Sequence, residues 1–213
     1  RVATRVAERL RPQVVVAEGV MVGVSEHHMN HAGTLTLRPG TFLAVLNDLI
    51  RSVVKAGFEI VLINGHGGND FIPLIRQIQQ DMGVHLFLVD WWKVGHDRYE
   101  EIFTASDDHA GQFETSVALH LFPELVELDA AGDGAVREFR FEALRAGWAR
   151  TSRDFGKLSD QCAVGDPSGA SAERGREYLE LVIGRIADFL VELAEAPIDE
   201  HFPFRPDVPG AGS

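Results

Sequence analysis

The chain has 213 residues, 45% of them hydrophobic and 24% charged, with a formal net charge of −12 at pH 7. That length and balance predict one folded domain with a substantial core and exclude a disordered or fibrous chain. The acidic excess argues against nucleic acid as a partner, no apolar run reaches bilayer length, and the single cysteine, Cys162, excludes an internal disulfide or a cluster of thiolate ligands.

Val2, Val6 and Leu10 fall at four-residue spacing on one face of a helix that Pro12 is expected to end. The pattern begins without a cap, as if cut from a longer segment, and it lacks a signal peptide's apolar stretch, so a cytoplasmic location is expected. Residues 13–17, Gln-Val-Val-Val-Ala, read as a buried strand. A loop carrying Gly23, Ser25 and the pair His27-His28 follows, and residues 34–37, with their alternation, read as an edge strand or half of a hairpin.

Pro39-Gly40-Thr41 supplies a turn and an N-cap, after which Phe42, Val45, Leu46, Leu49, Ile50 and Val53 trace an amphipathic helix ending at Gly57. Residues 59–63 read as a strand and Asn64-Gly65-His66-Gly67-Gly68-Asn69 as a loop. Phe71, Leu74, Ile75, Ile78 and Met82 mark the next helix, which ends near Gly83, and residues 84–92 form another strand. This rhythm predicts an α/β fold: three layers, α/β/α, around a mainly parallel sheet.

Asp107-Asp108-His109-Ala110-Gly111 precedes a helix carrying Phe113, Val117, Ala118 and Leu121, and residues 127–165 read as loop or peripheral structure. Gly165-Asp166-Pro167-Ser168-Gly169 opens a long helix with Tyr178, Leu181, Val182, Ile186, Phe189, Leu190 and Leu193 in one stripe, stopped by Pro197. Residues 1–196 are taken as the domain and 197–213 as a Pro- and Gly-rich tail, loosely held from Pro203 onward.

Three constellations can carry chemistry. His66 sits among glycines at a strand tip, where ligands of α/β sheets gather, and Asn64 and Asn69 flank it to orient the ring or a bound carbonyl. A tight turn with an incidental surface histidine explains the same residues. His109 and Glu114 lie before and within a helix start, able to face one site, while Asp107 or Asp108 serves as a cap; plain charge–dipole stabilisation competes with this reading. Ser25, His27, His28 and His31 fit no standard metal spacing and read as a solvated polar loop. Cys162 has no base beside it in sequence and reads as an inert thiol. Trp91 and Trp92, adjacent on a strand, should face opposite ways, one of them into the core. The Gly165-Asp166-Pro167 turn either reaches the site or simply starts a helix.

Taken together, the Asn64-to-Asn69 motif, His109-Ala110-Gly111 with Glu114-Thr115-Ser116, Ser25 and His28 with Gly33-Thr34, and Gly165-Asp166-Pro167 with Ala170 resemble the creatininase family of metal-dependent amidohydrolases, which includes a formylamide hydrolase and a mycofactocin-associated peptidase. The similarity runs from Arg1 to about Leu193. It implies a divalent ion, zinc, manganese or iron, in one or two copies, with His66 and Glu114 as metal ligands. It further implies His109 as the substrate-contacting or proton-shuttling group, and Ser25 and His28 as pocket walls. The expected substrate is a small-molecule or small-peptide amide, and the expected assembly a homo-oligomer. Two departures accompany it. Creatininase proper carries Tyr-Glu where this chain has Gly67-Gly68, which argues against creatinine. The family's Glu-x-His pair and bridging Asp precede the helix of residues 1–10, so an N-terminally truncated enzyme is expected, with a non-catalytic binding member as the alternative. A nucleotide-binding domain fits poorly, because the loop after Ile63 lacks a phosphate-binding fingerprint.

Overall fold

In the computed structural model, which describes residues 1–10, 13–105 and 107–205, the apolar spacing of the first ten residues yields helix α1 (Val2–Arg9), with Val6 and Ala7 buried. Pro12, expected to end it, lies outside the described residues; the Leu10 N–H closes the last turn on the Val6 and Ala7 carbonyls, both at 3.2 Å. The expected strand at 13–17 does not form. Val15 and Val16 are 73% and 45% exposed. A β-branched run becomes a strand only where a neighbour accepts its backbone groups, and the two strands among the described residues pair with each other. Residues 34–37 make no edge strand either: the Thr34 N–H closes a local turn on the His31 carbonyl at 3.4 Å, and the Leu37 N–H ties to the Gly23 carbonyl at 2.9 Å.

Helix α2 (Pro39–Lys55) starts at Pro39 itself, so Thr41 lies inside the helix instead of capping it. Proline's fixed φ suits the first helical position, where its missing N–H leaves nothing unpaired. Strand β1 (Ile60–Asn64), helix α3 (Ile72–Met82) and strand β2 (Leu86–Asp90) follow, with Gly83 in the left-handed region closing α3. The strands pair in parallel, Ile60 opposite Leu86 and Asn64 opposite Asp90.

The period of two along each strand sorts the side chains between two cores. Ile60, Leu62, Leu86 and Leu88 face the cluster built by Phe42, Leu46, Ile50, Leu74 and Ile78 of α2 and α3. Ile63 and Val89 face the opposite cluster, with Val6, Phe113, Val117, Tyr178 and Val182. The expected three-layer α/β/α arrangement follows from that partition. Trp91 and Trp92 depart from expectation: they leave β2 in a single 3-10 turn, and both pack half-buried on the second cluster.

The rest of the chain adds α4 (Tyr99–Ile102), α5 (Gln112–Leu121), α6 (Glu142–Arg145), α7 (Phe155–Leu158) and α8 (Ala172–Glu195). The Ser171 side chain caps α8 by accepting the Arg174 N–H at 3.3 Å. Tyr178, Leu179, Val182, Ile183 and Ile186 of α8 are buried, each large apolar side chain worth about 1.5–3 kcal/mol, so this helix anchors the layer that carries α1 and α5. The Tyr178 hydroxyl donates to the Trp92 carbonyl at 2.7 Å, and burial pushes its pKa up to about 12. Beyond residue 196, Phe202 packs edge-on to His85 and Phe87, with ring centroids 4.7 and 6.1 Å apart. The last eight tail positions, 206–213, lie outside the described residues. No helix among the described residues is long and apolar enough to cross a membrane.

Candidate functional site

β1 ends at Asn64, whose buried side chain bridges outward. Its amide donates to Asp90 Oδ1 at the paired end of β2, 2.9 Å away, and its oxygen accepts the His66 N–H at 3.1 Å and Asn69 Nδ2 at 3.2 Å. Asn69 Oδ1 in turn accepts the Val24 N–H at 2.9 Å. The two asparagines therefore brace the glycine loop against the segment before Ser25, their bonds running to backbone, to each other and to the Asp90 carboxylate. Ser25 is fixed through its own N–H, which donates to Thr36 Oγ1 at 2.8 Å.

So held, the His66 ring points at Val24 and Ser25: Nε2 lies 3.0 Å from the Val24 carbonyl and 3.1 Å from Ser25 Oγ. A carbonyl only accepts, so this contact places a hydrogen on Nε2. The His27 ring stacks on His66 at 5.8 Å. Gly68 sits tightly beneath, since a Cβ there would come within 2.5 Å of both His66 Nε2 and His27 Cε1.

The second group comes from the far side. His109 is held in an isolated antiparallel bridge with Val164, with N···O distances of 3.1 and 2.8 Å, immediately before α5. Asp107 reaches over the start of α5 and accepts the Phe113 N–H at 2.7 Å, the capping role expected for it. Burial raises its carboxyl above the usual range, against the bonds from Phe113 and Tyr99. Asp108 pairs instead with Arg153. Glu114 accepts the Ala110 N–H at 2.7 Å and lies 3.5 Å from His109 Nδ1. Burial works to raise its pKa, but the His109 and Ala110 hydrogen bonds and the fields of His109 and His66 bring it below the ordinary value, so the carboxylate is ionised.

His28 links the two groups, its ring centroid 5.0 Å from His109 and 6.2 Å from His66. It is 8% exposed, so the expected solvated loop is corrected here: the turn Glu26–His28 folds inward because Phe155 gives the ring a flat apolar surface 4.1 Å away. Burial, then the surrounding His27, His109, His66 and His31 rings, push its pKa down to about 4. Burial first, then His66, Arg153 and His109, also lowers His27. Both rings are neutral near pH 7.

Cys162 also departs from its reading. Its Sγ lies 3.1 Å from His28 Nδ1, a partner 134 positions away that no local pattern can announce. Burial pushes the thiol up. Phe155, buried beneath His28 and His109, was concealed in a polar stretch that reads as periphery. The Gly165-Asp166-Pro167 turn stays outside: the Asp166 carboxylate accepts from Ser168 N and Oγ at 2.8 and 2.7 Å, while Gly165 packs against Asp107.

The donors suit a divalent ion of the zinc, manganese or iron class. Imidazole ligates only when unprotonated and carboxylate only when ionised, and the site holds its buried histidine neutral and Glu114 charged. Among the described residues, the tightest group of three donors is His28, His109 and Cys162, whose ligand atoms lie within 4.8 Å of one another; His66 and Glu114 flank it without belonging to it.

Comparison with known proteins agrees in one direction. The family model for creatininase, described as creatinine amidohydrolase, matches residues 1–190. A mycofactocin precursor peptide peptidase of Mycobacterium ulcerans is 31% identical over 195 residues, 87% of this chain and 72% of that protein. A creatinine amidohydrolase of Pseudomonas putida is 32% identical over 213 aligned positions, 90% of this chain and 78% of that protein. Among solved structures, a Bacteroides fragilis protein with the provisional name creatinine amidohydrolase superposes with a TM-score of 0.85 at 31% identity, covering 93% of this chain and 81% of that one. A manganese creatininase at 26% identity and a zinc–zinc variant at 25% each superpose with a TM-score of 0.72 over 92% of this chain and 81% of theirs.

Proposed function

The chain belongs to the creatininase family, and from that premise we propose that it is a metal-dependent amidohydrolase cleaving the C–N bond of a small-molecule or small-peptide amide. The observation that carries this reading is the convergence, at the end of β1, of the His66, His28 and His109 rings with an ionised Glu114. His66 and Glu114 would hold the ion, of zinc, manganese or iron, in one or two copies. When bound, such an ion acidifies a water toward neutrality and polarises the amide carbonyl.

The remaining chemistry belongs to the chain. Glu114 faces His109 Nδ1 at 3.5 Å, which turns Nε2 toward the pocket as the atom that delivers a proton to the leaving nitrogen. Phe155 beneath His28 and His109 keeps one wall dry and orients both rings. Ser25 Oγ, beside His66, is the hydroxyl that positions the substrate's polar edge. Gly68 supports an amide other than creatinine: with 2.4 Å between an added Cβ and the Val24 carbonyl, the Glu that creatininase proper carries has no room here.

Metal content and turnover on a panel of small amides test the reading, beside His66→Ala and Glu114→Ala. Each variant is expected to lose the ion that His66 and Glu114 would hold and at least about 100-fold in kcat/KM. Unchanged activity in both sinks the assignment, and metal binding without turnover in the parent protein assigns it to the non-catalytic alternative.

A further inference from the structure

The resemblance gives Cys162 no role, yet it sits in the tightest donor cluster among the described residues. Three separate segments build that cluster: the Glu26–His28 turn, the residues leading into α5, and the return toward α8. The bridge between His109 and Val164 fixes the last two relative to each other, holding Cys162 two residues from a hydrogen-bonded partner of His109. Phe155 backs both histidines.

We propose that His28, His109 and Cys162 form a mixed thiolate–imidazole site for a soft or borderline divalent cation, with a donor set distinct from His66 and Glu114. The distances suit it. Donor atoms of one tetrahedral Cys/His sphere lie about 3.3–3.6 Å apart; His28 Nδ1 and Cys162 Sγ are already 3.1 Å apart, and all three donors fall within 4.8 Å. Small side-chain rotations close the remainder. His28 is buried, while His109 and Cys162 are partly exposed, so an ion enters from their side. The ion displaces the thiol proton to solvent, releasing one proton per cation as the sulfur–metal bond forms. Occupancy takes a His109 nitrogen out of proton transfer and makes turnover sensitive to thiophilic cations; that consequence rests on the role proposed above for His109, whereas the binding does not.

Cadmium titration of the full chain tests the binding directly, read by the thiolate-to-cadmium charge-transfer absorbance and by proton release in weak buffer. One equivalent of absorbance with one proton released is expected. Cys162→Gly should abolish the band; Cys162 has φ 63, a conformation that glycine adopts freely, so this variant keeps the fold, and Cys162→Ser gives a second check. His28→Ala should weaken the apparent Kd at least about 10-fold. His66→Ala should leave band and affinity unchanged even as it removes amide turnover, which separates this site from the function proposed above. Absence of the band, unchanged affinity in His28→Ala, or loss of the band in a folded His66→Ala protein overturns the proposal.

Discussion

Replacing Gly68 by alanine probes the site with a single methyl group. The added Cβ would lie 2.4 Å from the Val24 carbonyl oxygen, 2.5 Å from His27 Cε1 and 2.5 Å from His66 Nε2, each about 1 Å short of ordinary van der Waals separation. The Val24 carbonyl cannot swing away, because the Ser25 N–H on the same peptide plane is pinned to Thr36 Oγ1. The ring of His66 must therefore move, giving up its contacts with the Val24 carbonyl and Ser25 Oγ. Overpacking of this kind costs roughly 1–3 kcal/mol, and for a chain of this size each kcal/mol lowers Tm by about 2–4 °C. A displacement near 1 Å at the reacting group costs on the order of 100-fold in turnover. Gly65 and Gly67 are internal controls: neither has a neighbour within 4 Å of an added Cβ, nor a left-handed φ, so alanine there should change stability by no more than about 0.5 kcal/mol. Thermal melts, metal content and kcat/KM across the three variants decide the matter. A Gly68→Ala protein that matches Gly67→Ala in all three refutes this account of how His66 is held.

Two further outcomes follow from the same geometry. His28 has a folded pKa of about 4 against an ordinary 6.5, so the unfolded chain takes up its proton first. Its contribution to stability is full above pH 6.5 and is lost as pH falls toward 4, at no more than about 1.4 kcal/mol per pH unit; urea midpoints of chelator-treated protein should show that slope flattened in His28→Gln, and parallel profiles would contradict it. At the α5–α8 contact, a Cβ on Gly175 would lie 2.0 Å from the Ser116 carbonyl oxygen. Gly175→Ala should lower Tm despite a helix-propensity gain of about 1 kcal/mol, and a raised Tm would show that the two helices separate freely.

The layered fold was legible in the sequence because its signals are local. The stripe through Phe42, Leu46 and Ile50, the run from Ile60 to Ile63 and the left-handed glycine after Met82 each state their own conformation within one or two turns. Residues 13–17 misled for the converse reason: Val14, Val15 and Val16 favour extended backbone, but a strand exists only through its neighbour, and neighbours are not written in the run itself. Thr41 misled through competition, since Pro39 two residues earlier is a better helix start than a threonine cap.

The site divides along the same line. His66 and Glu114 could be singled out because each sits at the junction of an element with its loop, where the chain's own pattern breaks. Phe155 and Cys162 could not. Phe155 and Cys162 lie in a polar return segment with little regular structure, and what selects them is what they face: Phe155 the rings of His28 and His109, Cys162 the Nδ1 of His28. The bridge between His109 and Val164 ties that return segment to the start of α5, so residues that read as periphery pack against the histidines. A long return between two helices of an α/β layer is therefore a place to look for pocket walls even when its composition is that of a surface loop. Its aromatic and thiol side chains are the ones to test first, because in a polar segment an apolar ring is buried only if something across the pocket covers it.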